Sequence, residues 1–342
     1  MDPIERKFKI LEEIINRYIL TGEPVGSKTV SENSDLSFSS ATVRNEMADL
    51  VSFGYLTQPH VSAGRVPSSR GYRLYINKLM HKKPLSENEK SLINGILSKS
   101  STDPESLLEA AAEALAEITG FTSVVTTPLN QKSRVLDIKL VKISRRGAMI
   151  VLTTSSGMIK NKLFRCDYDI SDEILKTFEK ILSEEFRGKL LNKINPESVS
   201  ILVTEESSIS FLLLPIIKVF LETALEASQV EVKICGQKNL LLIPESTSEM
   251  TYGIFKFLED KEKILNLLNC ENYGINFTVG EENIYRELKN SSVCFSRYNV
   301  ADKFGGLGII GPTRMDYGYV TSYLQYVSSL IGVFLERILK GY

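Results

Sequence analysis

The chain has 342 residues, of which 43% are hydrophobic and 24% are charged. With about 150 residues per domain, this length predicts two or three domains that each bury a core. The composition is typical of a soluble globular protein and excludes a small disulfide-stapled scaffold and a largely disordered chain.

Neither a membrane span nor a secretion signal is expected. The longest uncharged apolar stretch worth testing, residues 211–217, contains Pro215 and is followed by Lys218. It is far shorter than the roughly 20 residues that a spanning helix needs. The N-terminal residues carry charges of both signs and lack the apolar core of a signal peptide. We therefore expect a cytoplasmic protein without membrane contact.

Cysteine and histidine are too sparse to suggest metal or nucleophile chemistry. The cysteines lie at least 24 residues apart, at Cys166, Cys235, Cys270 and Cys294, which excludes a paired-cysteine zinc site and a redox Cys-x-x-Cys motif. The two histidines, His60 and His81, both lie in the first quarter of the chain. We expect no catalytic residue, no metal site and no cofactor.

The net charge of −1 conceals a basic N-terminal region. Residues 1–83 carry 12 basic and 9 acidic side chains, and residues 60–83 contain cations without any carboxylate. These cations are Arg65, Arg70, Arg73, Lys78, Lys82 and Lys83. A solvated charged surface would explain such a run, but next to a helix-turn-helix pattern it is typical of a DNA-binding module.

The first 54 residues predict that pattern. Asp2 and Pro3 begin a helix that should end near Leu20, before the breaker at residues 21–24. A short second helix should run from Ser27 to about Glu32. A third begins after a Ser39 or Ser40 cap, and Gly54 ends it.

The third helix has two distinct faces. With about 100° per residue, its apolar side chains form one face, predicted to point to the core: Val43, Met47, Leu50 and Val51. Thr42 and Asn45 point away between alanines, and Arg44 lies on the flank. Asparagine can bond adenine bidentately and threonine can contact a thymine methyl, so the outward face suits base edges. An amphipathic helix of an ordinary helical domain is the alternative.

Beyond Gly54 the pattern predicts two short strands joined by a tip, a wing that touches a phosphate or the minor groove. A helix starting at Ser68 or Ser69 and ending before Pro84 should follow. The candidate DNA-binding residues of the whole region are Lys28, Ser39, Ser40, Thr42, Arg44, Asn45, His60, Ser62, Arg65, Arg70 and Arg73.

Two segments resemble one known family. The run SSATVRNEMADLVSFGYLTQPHVSAGRVPSSRGY, residues 39–72, follows GEPVGSKTVSE and resembles the N-terminal signature of the heat-inducible transcription repressors of the HrcA type. Near the other end, GGLGIIGPTRMDY, residues 305–317, resembles the second signature of that family. Val61 departs from the small polar residue usual at its position. Length and motif order extend the resemblance over essentially the whole chain.

The resemblance implies an α+β multidomain fold: an N-terminal winged helix-turn-helix, a GAF-like α/β domain and an inserted α+β dimerisation domain. We assign these to residues 1–83, to residues 84–170 with 250–342, and to residues 171–249. It further implies a homodimer that represses chaperone operons from an inverted-repeat double-stranded DNA operator. Release on heat stress and modulation by the chaperonin GroEL are implied in the same way.

Two further segments in the C-terminal part are open to functional interpretation. Gly306-x-Gly308-x-x-Gly311 matches a dinucleotide fingerprint by spelling, but Pro312 follows at once and no acidic residue lies about 20 positions on. A glycine-rich strand followed by the last helix is the favoured interpretation. Arg314 is expected at a domain contact, and binding of an anion or a partner is the alternative. The apolar run SFLLLPIIKVF is either buried core or a heat-labile dimer surface, for which the candidates are Phe211, Leu213 and Ile217.

Two other classes of function remain open beside a repressor. An enzyme is disfavoured because the C-terminal region lacks histidine, a phosphate-binding loop and a Gly-x-Ser-x-Gly nucleophile. A sensor whose GAF-like domain binds a small effector is compatible with the sequence, and a ligand-dependent shift in melting temperature would detect it.

Overall fold

The computed structural model describes residues 2–32, 38–60, 63–100, 103–128, 132–200, 209–243, 247–269, 274–300 and 303–340. Helices and antiparallel sheets both occur, so the fold is mixed α/β. The helices are α1 Pro3–Thr21, α2 Ser27–Ser31, α3 Ser40–Ser52, α4 Ser69–Leu74, α5 Glu87–Lys99, α6 Pro104–Thr119, α7 Asp172–Phe186, α8 Pro196–Ser200, α9 Ile209–Ser228, α10 Ser248–Leu258, α11 Lys261–Leu268 and α12 Tyr317–Lys340. The strands are β1 Leu56–Thr57, β2 Val66–Pro67, β3 Thr122–Thr126, β4 Val135–Lys142, β5 Gly147–Thr154, β6 Ile159–Arg165, β7 Val232–Cys235, β8 Ile275–Val279, β9 Ser291–Val300 and β10 Lys303–Pro312.

The N-terminal unit contains the predicted helices, and the first three have ends within about one residue of expectation. The Asp2 carboxylate accepts a hydrogen bond from the backbone N–H of Ile4, and Gly22, at φ 71°, ends α1 in the left-handed region. Ser39 caps α3 by accepting from the Thr42 N–H at 3.1 Å. The strands β1 and β2 pair antiparallel, and α4 continues into a π-helical turn at Tyr75–Leu79. Local capping chemistry therefore sets these boundaries.

The central sheet carries the core of the larger unit. Its strand order is β7-β3-β10-β9-β8, with every neighbouring pair antiparallel. Helix α12 packs on β9, β10 and α6, and its apolar side chains join the same core as those of α1 and α3. One apolar core thus extends from the N-terminal helices into the central sheet, consistent with a GAF-like domain that supports the N-terminal unit.

The glycines that match the dinucleotide fingerprint by spelling serve packing within β10. A Cβ on Gly306 would lie 2.7 Å from the Leu268 Cβ, so the strand accepts α11 only because the side chain is absent. The strand is buried from Gly305 to Pro312, and α12 begins at Tyr317. This arrangement confirms the interpretation of a glycine-rich strand followed by the last helix.

The grouping of strands into sheets does not follow the approximate borders, residues 171 and 249, that were expected for the inserted domain. The strands β4, β5 and β6 form a separate sheet, and α7 and α9 pack on one face of it. The strand β7, in contrast, pairs with β3 in the central sheet. Strand pairing therefore places the insertion between β3 and β7. Both sets of strands have similar apolar patterns, so only long-range pairing distinguishes them.

The apolar run in α9 is part of a core at Leu213 and Ile217. Leu213 is 4% exposed and Ile217 is 5% exposed, and both belong to the apolar core that also contains Phe178 and Phe220. Of the two interpretations, buried core and dimer surface, this burial against the second sheet favours buried core for these two side chains. The side chain of Phe211 lies outside the described residues.

Within the described ranges, no helix has the combination of length and apolarity that crossing a bilayer requires.

Candidate nucleic-acid interface

The outward face of α3 is open to solvent. Arg44 and Asn45 are exposed, and Thr42 is half-buried beside the N-terminus of the helix. On the opposite face, Val43, Met47 and Leu50 are buried in the core as predicted. Val51 is half-buried. The helix therefore exposes the Asn45 amide and the Arg44 guanidinium to solvent, away from the face that carries its buried apolar side chains.

The serines at the start of α3 are engaged in local hydrogen bonds. The Ser39 hydroxyl lies 2.9 Å from the Thr42 hydroxyl, and the Ser40 hydroxyl lies 3.2 Å from that of Ser27 at the start of α2. These bonds join α2 to α3 and satisfy donors at the helix N-terminus. Lys28, on the same short helix α2, is exposed beside them. The two helices thus form one polar, solvent-facing edge.

The hairpin that follows α3 is only partly arranged as expected. His60 is exposed, whereas Ser62 lies outside the described residues. Arg65 is half-buried at the base of the hairpin, where its backbone exchanges hydrogen bonds of 2.9 and 2.8 Å with Val25. Its guanidinium donates to the Ala63 carbonyl at 3.3 Å. Arg65 thus supports the hairpin against the connection between α1 and α2.

The basic run divides into two groups. Arg70, Lys78 and Lys82 are exposed, and the Arg70 guanidinium lies over the Tyr55 ring at 5.1 Å from its centroid.

Arg73 instead binds the Glu282 carboxylate through Nε at 2.9 Å and through Nη2, and donates to the Phe277 carbonyl at 2.7 Å. In this arrangement the larger unit engages Arg73, and Arg70 is the arginine of α4 that faces solvent.

Several contacts join the N-terminal unit to the larger one. Lys83 Nζ lies 2.6 Å from the Asp316 carboxylate, and Arg314 donates to the Ile19 carbonyl at the end of α1 at 2.8 Å. The rings of Tyr72 and Tyr317 pack at 5.7 Å. The expectation that Arg314 lies at a domain contact is confirmed. A Cβ on Gly280, which has φ 57°, would meet Ser69 Oγ at 2.3 Å, so the two units approach closely.

Sequence reasoning missed Glu46, a buried carboxylate on α3. Its side chain is 6% exposed and lies 2.5 Å from Arg6 Nη2 and 2.6 Å from Lys7 Nζ on α1. Burial alone raises the pKa of Glu46, but hydrogen bonds from Lys7 and Arg6 outweigh it and lower that pKa. Glu46 lies three residues after Val43 and four before Leu50, so helical spacing alone could have placed it on the core side.

Within the ranges that the structure describes, no group of three or more His, Cys, Asp and Glu side chains is positioned to hold a metal ion.

Comparison with known proteins identifies the family. A family model described as the HrcA protein C terminal domain matches residues 105–321. The chain is 34% identical over 340 residues to the heat-inducible transcription repressor HrcA of Acetivibrio thermocellus, covering 98% of this chain and 97% of that protein. It is 35% identical over 327 residues to HrcA of Clostridium perfringens, covering 94% and 96% respectively.

A solved structure shares the fold. A crystal structure described as a hypothetical protein at 2.2 Å resolution superposes with a TM-score of 0.72 at 24% identity, over 97% of this chain and 98% of that one. The family model covers more than half of the chain, and the relatives match it over nearly its full length. The chain therefore belongs to the HrcA family of heat-inducible transcription repressors.

Proposed function

We propose that residues 1–83 are a winged helix-turn-helix unit that binds double-stranded operator DNA, with α3 as the recognition helix. The observation that carries this proposal is the outward face of α3, where Asn45 and Arg44 are exposed while Val43 and Leu50 are buried. An asparagine amide suits the adenine edge in the major groove, and the helix fits that groove. His60 and Arg70 then lie on the flanking hairpin and helix, where phosphate contacts form.

We further propose that the chain acts as a homodimer through the sheet face of the insertion that α7 and α9 leave uncovered. Apolar side chains recur on this face and beside it, with exposures of 42% for Val141, 59% for Ile159 and 67% for Leu163. Val141, Met149 and Leu163 lie in one row across the three strands. Such a row leaves apolar side chains in contact with water, and a second copy of the chain that packs on it would bury them.

This dimer accounts for the regulatory role that the family resemblance implies. Two recognition helices related by a two-fold axis match an inverted-repeat operator, and the operons repressed are those of chaperones. Stability of a dimer depends on protomer concentration and temperature, so heat releases the operator by separating or unfolding the protomers. The chaperonin GroEL modulates the amount of active repressor. The repressor acts in the cytoplasm, where the operator DNA lies.

Fluorescence anisotropy with the full chain tests the proposal. Operator duplex is compared with a scrambled duplex of equal length for the wild type and for Asn45→Ala. Loss of a bidentate base contact costs about 1 to 3 kcal/mol, so operator affinity should fall about 5- to 150-fold while scrambled-duplex affinity holds. Ser52→Ala, at the exposed C-terminal end of the same helix, is the control. An equal loss on both duplexes would contradict base reading by Asn45.

A further inference from the structure

An ion-pair cluster built around the buried Glu46 joins the recognition helix to the first helix. The Glu46 carboxylate receives Arg6 Nε at 2.6 Å and Nη2 at 2.5 Å on one oxygen, and Lys7 Nζ approaches the other oxygen at 2.6 Å. Lys7 also lies 3.0 Å from Asp49, one turn further along α3. Two neighbouring side chains at the start of α1 therefore form ion pairs with two carboxylates on successive turns of α3.

This cluster controls a degree of freedom that the apolar contacts leave loose. Val43, Met47 and Leu50 hold α3 against the core, but apolar packing is not directional, and a helix can roll on such a surface. With a helix diameter of about 10 to 12 Å, a roll of about 20° carries a side-chain tip roughly 2 Å. Recognition sites need their groups held within about 0.5 Å. Arg6 binds one carboxylate oxygen of Glu46 with two nitrogens and Lys7 binds the other oxygen, and such charge-assisted contacts are directional and resist that roll.

We propose that Glu46 is a positioning residue for base recognition: held by Arg6 and Lys7, it sets the roll of α3 that presents Asn45 to the base edge. The inference rests on the proposed function of α3. It also assigns a role to Arg6 and Lys7, because their positive charges are paired with the carboxylates of Glu46 and Asp49. Arg6 and Lys7 therefore contribute nothing to the phosphate contacts of the repressor.

The main test removes the whole cluster without leaving a buried charge. The triple variant Arg6→Met, Lys7→Met and Glu46→Leu replaces the ions by apolar side chains, a change that buried ion pairs often tolerate without loss of stability. We expect the ratio of operator to scrambled-duplex affinity to fall about tenfold in the full chain, which corresponds to about 1.4 kcal/mol. Scrambled-duplex affinity and its salt dependence should stay at the wild-type values.

A single variant and a matched control keep the test decisive if the triple variant does not fold. Arg6→Met removes the two-nitrogen contact to one oxygen of Glu46 but leaves Lys7 on the other oxygen, so the ratio should fall several-fold. Arg17→Met makes the same change on α1, where Arg17 pairs with Glu13 four residues before it and not with α3. The control should match the wild type in affinity ratio. Melting curves for every variant establish the temperature at which all of them are folded.

The possible outcomes separate this inference from the proposed function. If Asn45→Ala lowers the affinity ratio and folded Arg6→Met or the folded triple variant does not, the positioning role of Glu46 is overturned. A salt slope that falls by about 0.9 in Arg6→Met also overturns it, because Arg6 would then be a phosphate contact. If Asn45→Ala itself leaves the ratio unchanged, base recognition by α3 is the claim that fails.

Discussion

The guanidinium of Arg73, in the N-terminal unit, forms a two-nitrogen ion pair with the carboxylate of Glu282, in the larger unit. The pair is completed by the Phe277 carbonyl, which accepts from Arg73, and by the Val279 N–H, which donates to Glu282 at 2.9 Å. A side chain expected to contact phosphate is therefore a domain contact in this arrangement. The contact also has a pH dependence that can be measured.

The stabilising effect of Glu282 should disappear in acid. Burial alone raises the pKa of Glu282, but hydrogen bonds from Arg73 and the Val279 N–H outweigh it and hold that pKa below 4.5. A depressed folded-state pKa means that the stabilisation is complete above about pH 5 and is lost as the pH falls through the folded value. Glu282→Gln should reduce the free energy of unfolding by about 1 kcal/mol at pH 7. Urea unfolding between pH 3 and 7 should show this difference shrinking below pH 4.5. A difference that is constant with pH would contradict the ion pair.

Arg70 and Arg73 should differ in their effect on salt-dependent DNA binding. Arg70 is exposed on α4, so Arg70→Ala should lower affinity for operator and scrambled duplex alike and flatten the salt slope by about 0.9. Arg73→Ala should leave the slope unchanged, because the Arg73 guanidinium is paired with the Glu282 carboxylate and makes no phosphate contact. Binding isotherms over a range of KCl concentrations give both slopes. If Arg73→Ala flattens the salt slope as much as Arg70→Ala does, the Arg73–Glu282 pair opens when DNA binds and the prediction fails.

The dimer should depend on the uncovered sheet face of the insertion. Leu163→Asp places a carboxylate at a side chain that is 67% exposed, so the folded protomer tolerates it while a covered interface does not. Sedimentation should show a monomer that binds the operator weakly and retains its melting temperature at low concentration. Ile284→Asp changes a residue that is 88% exposed on the other unit and serves as the control. A Leu163→Asp dimer of wild-type affinity would place the interface elsewhere.

Leu213 should behave as a core residue. Because it is 4% exposed among the apolar side chains of the insertion, Leu213→Ala should lower the free energy of unfolding by about 2 to 5 kcal/mol through a cavity. The dimer dissociation constant of the folded protein should change little. Leu225→Ala, at a position on the same helix that is 59% exposed, should change stability by less than about 0.5 kcal/mol. Loss of the dimer without loss of stability in Leu213→Ala would restore the dimer-surface interpretation.

Local chemistry explains which parts of the fold could be predicted. The ends of α1 and α3 follow from Asp2, Gly22 and Ser39, all of which act within four residues, and helical period placed Val43 and Leu50 in the core. The same reasoning placed the glycine-rich strand β10 before the last helix. These features depend on neighbours along the chain, which a single sequence contains.

Contacts between distant residues explain what could not be predicted. Arg73 and Glu282 are 209 residues apart, and no local pattern distinguishes a domain contact from a phosphate contact. The borders of the insertion depend on whether a strand pairs with β3 or with β5, and both sheets use similar apolar strands. Leu213 and Ile217 are apolar whether they face a core or a partner, so composition could not decide between these alternatives.

Hydroxyl-radical footprinting of the full chain on an inverted-repeat operator tests the central proposal most directly. A dimer that reads DNA with two copies of α3 predicts two protected patches related by a two-fold axis, centred one or more helical turns of about 10.5 base pairs apart. Both patches should weaken together in Asn45→Ala. Protection of a single half-site by saturating wild-type protein, or a footprint that Asn45→Ala leaves unchanged, would contradict the account.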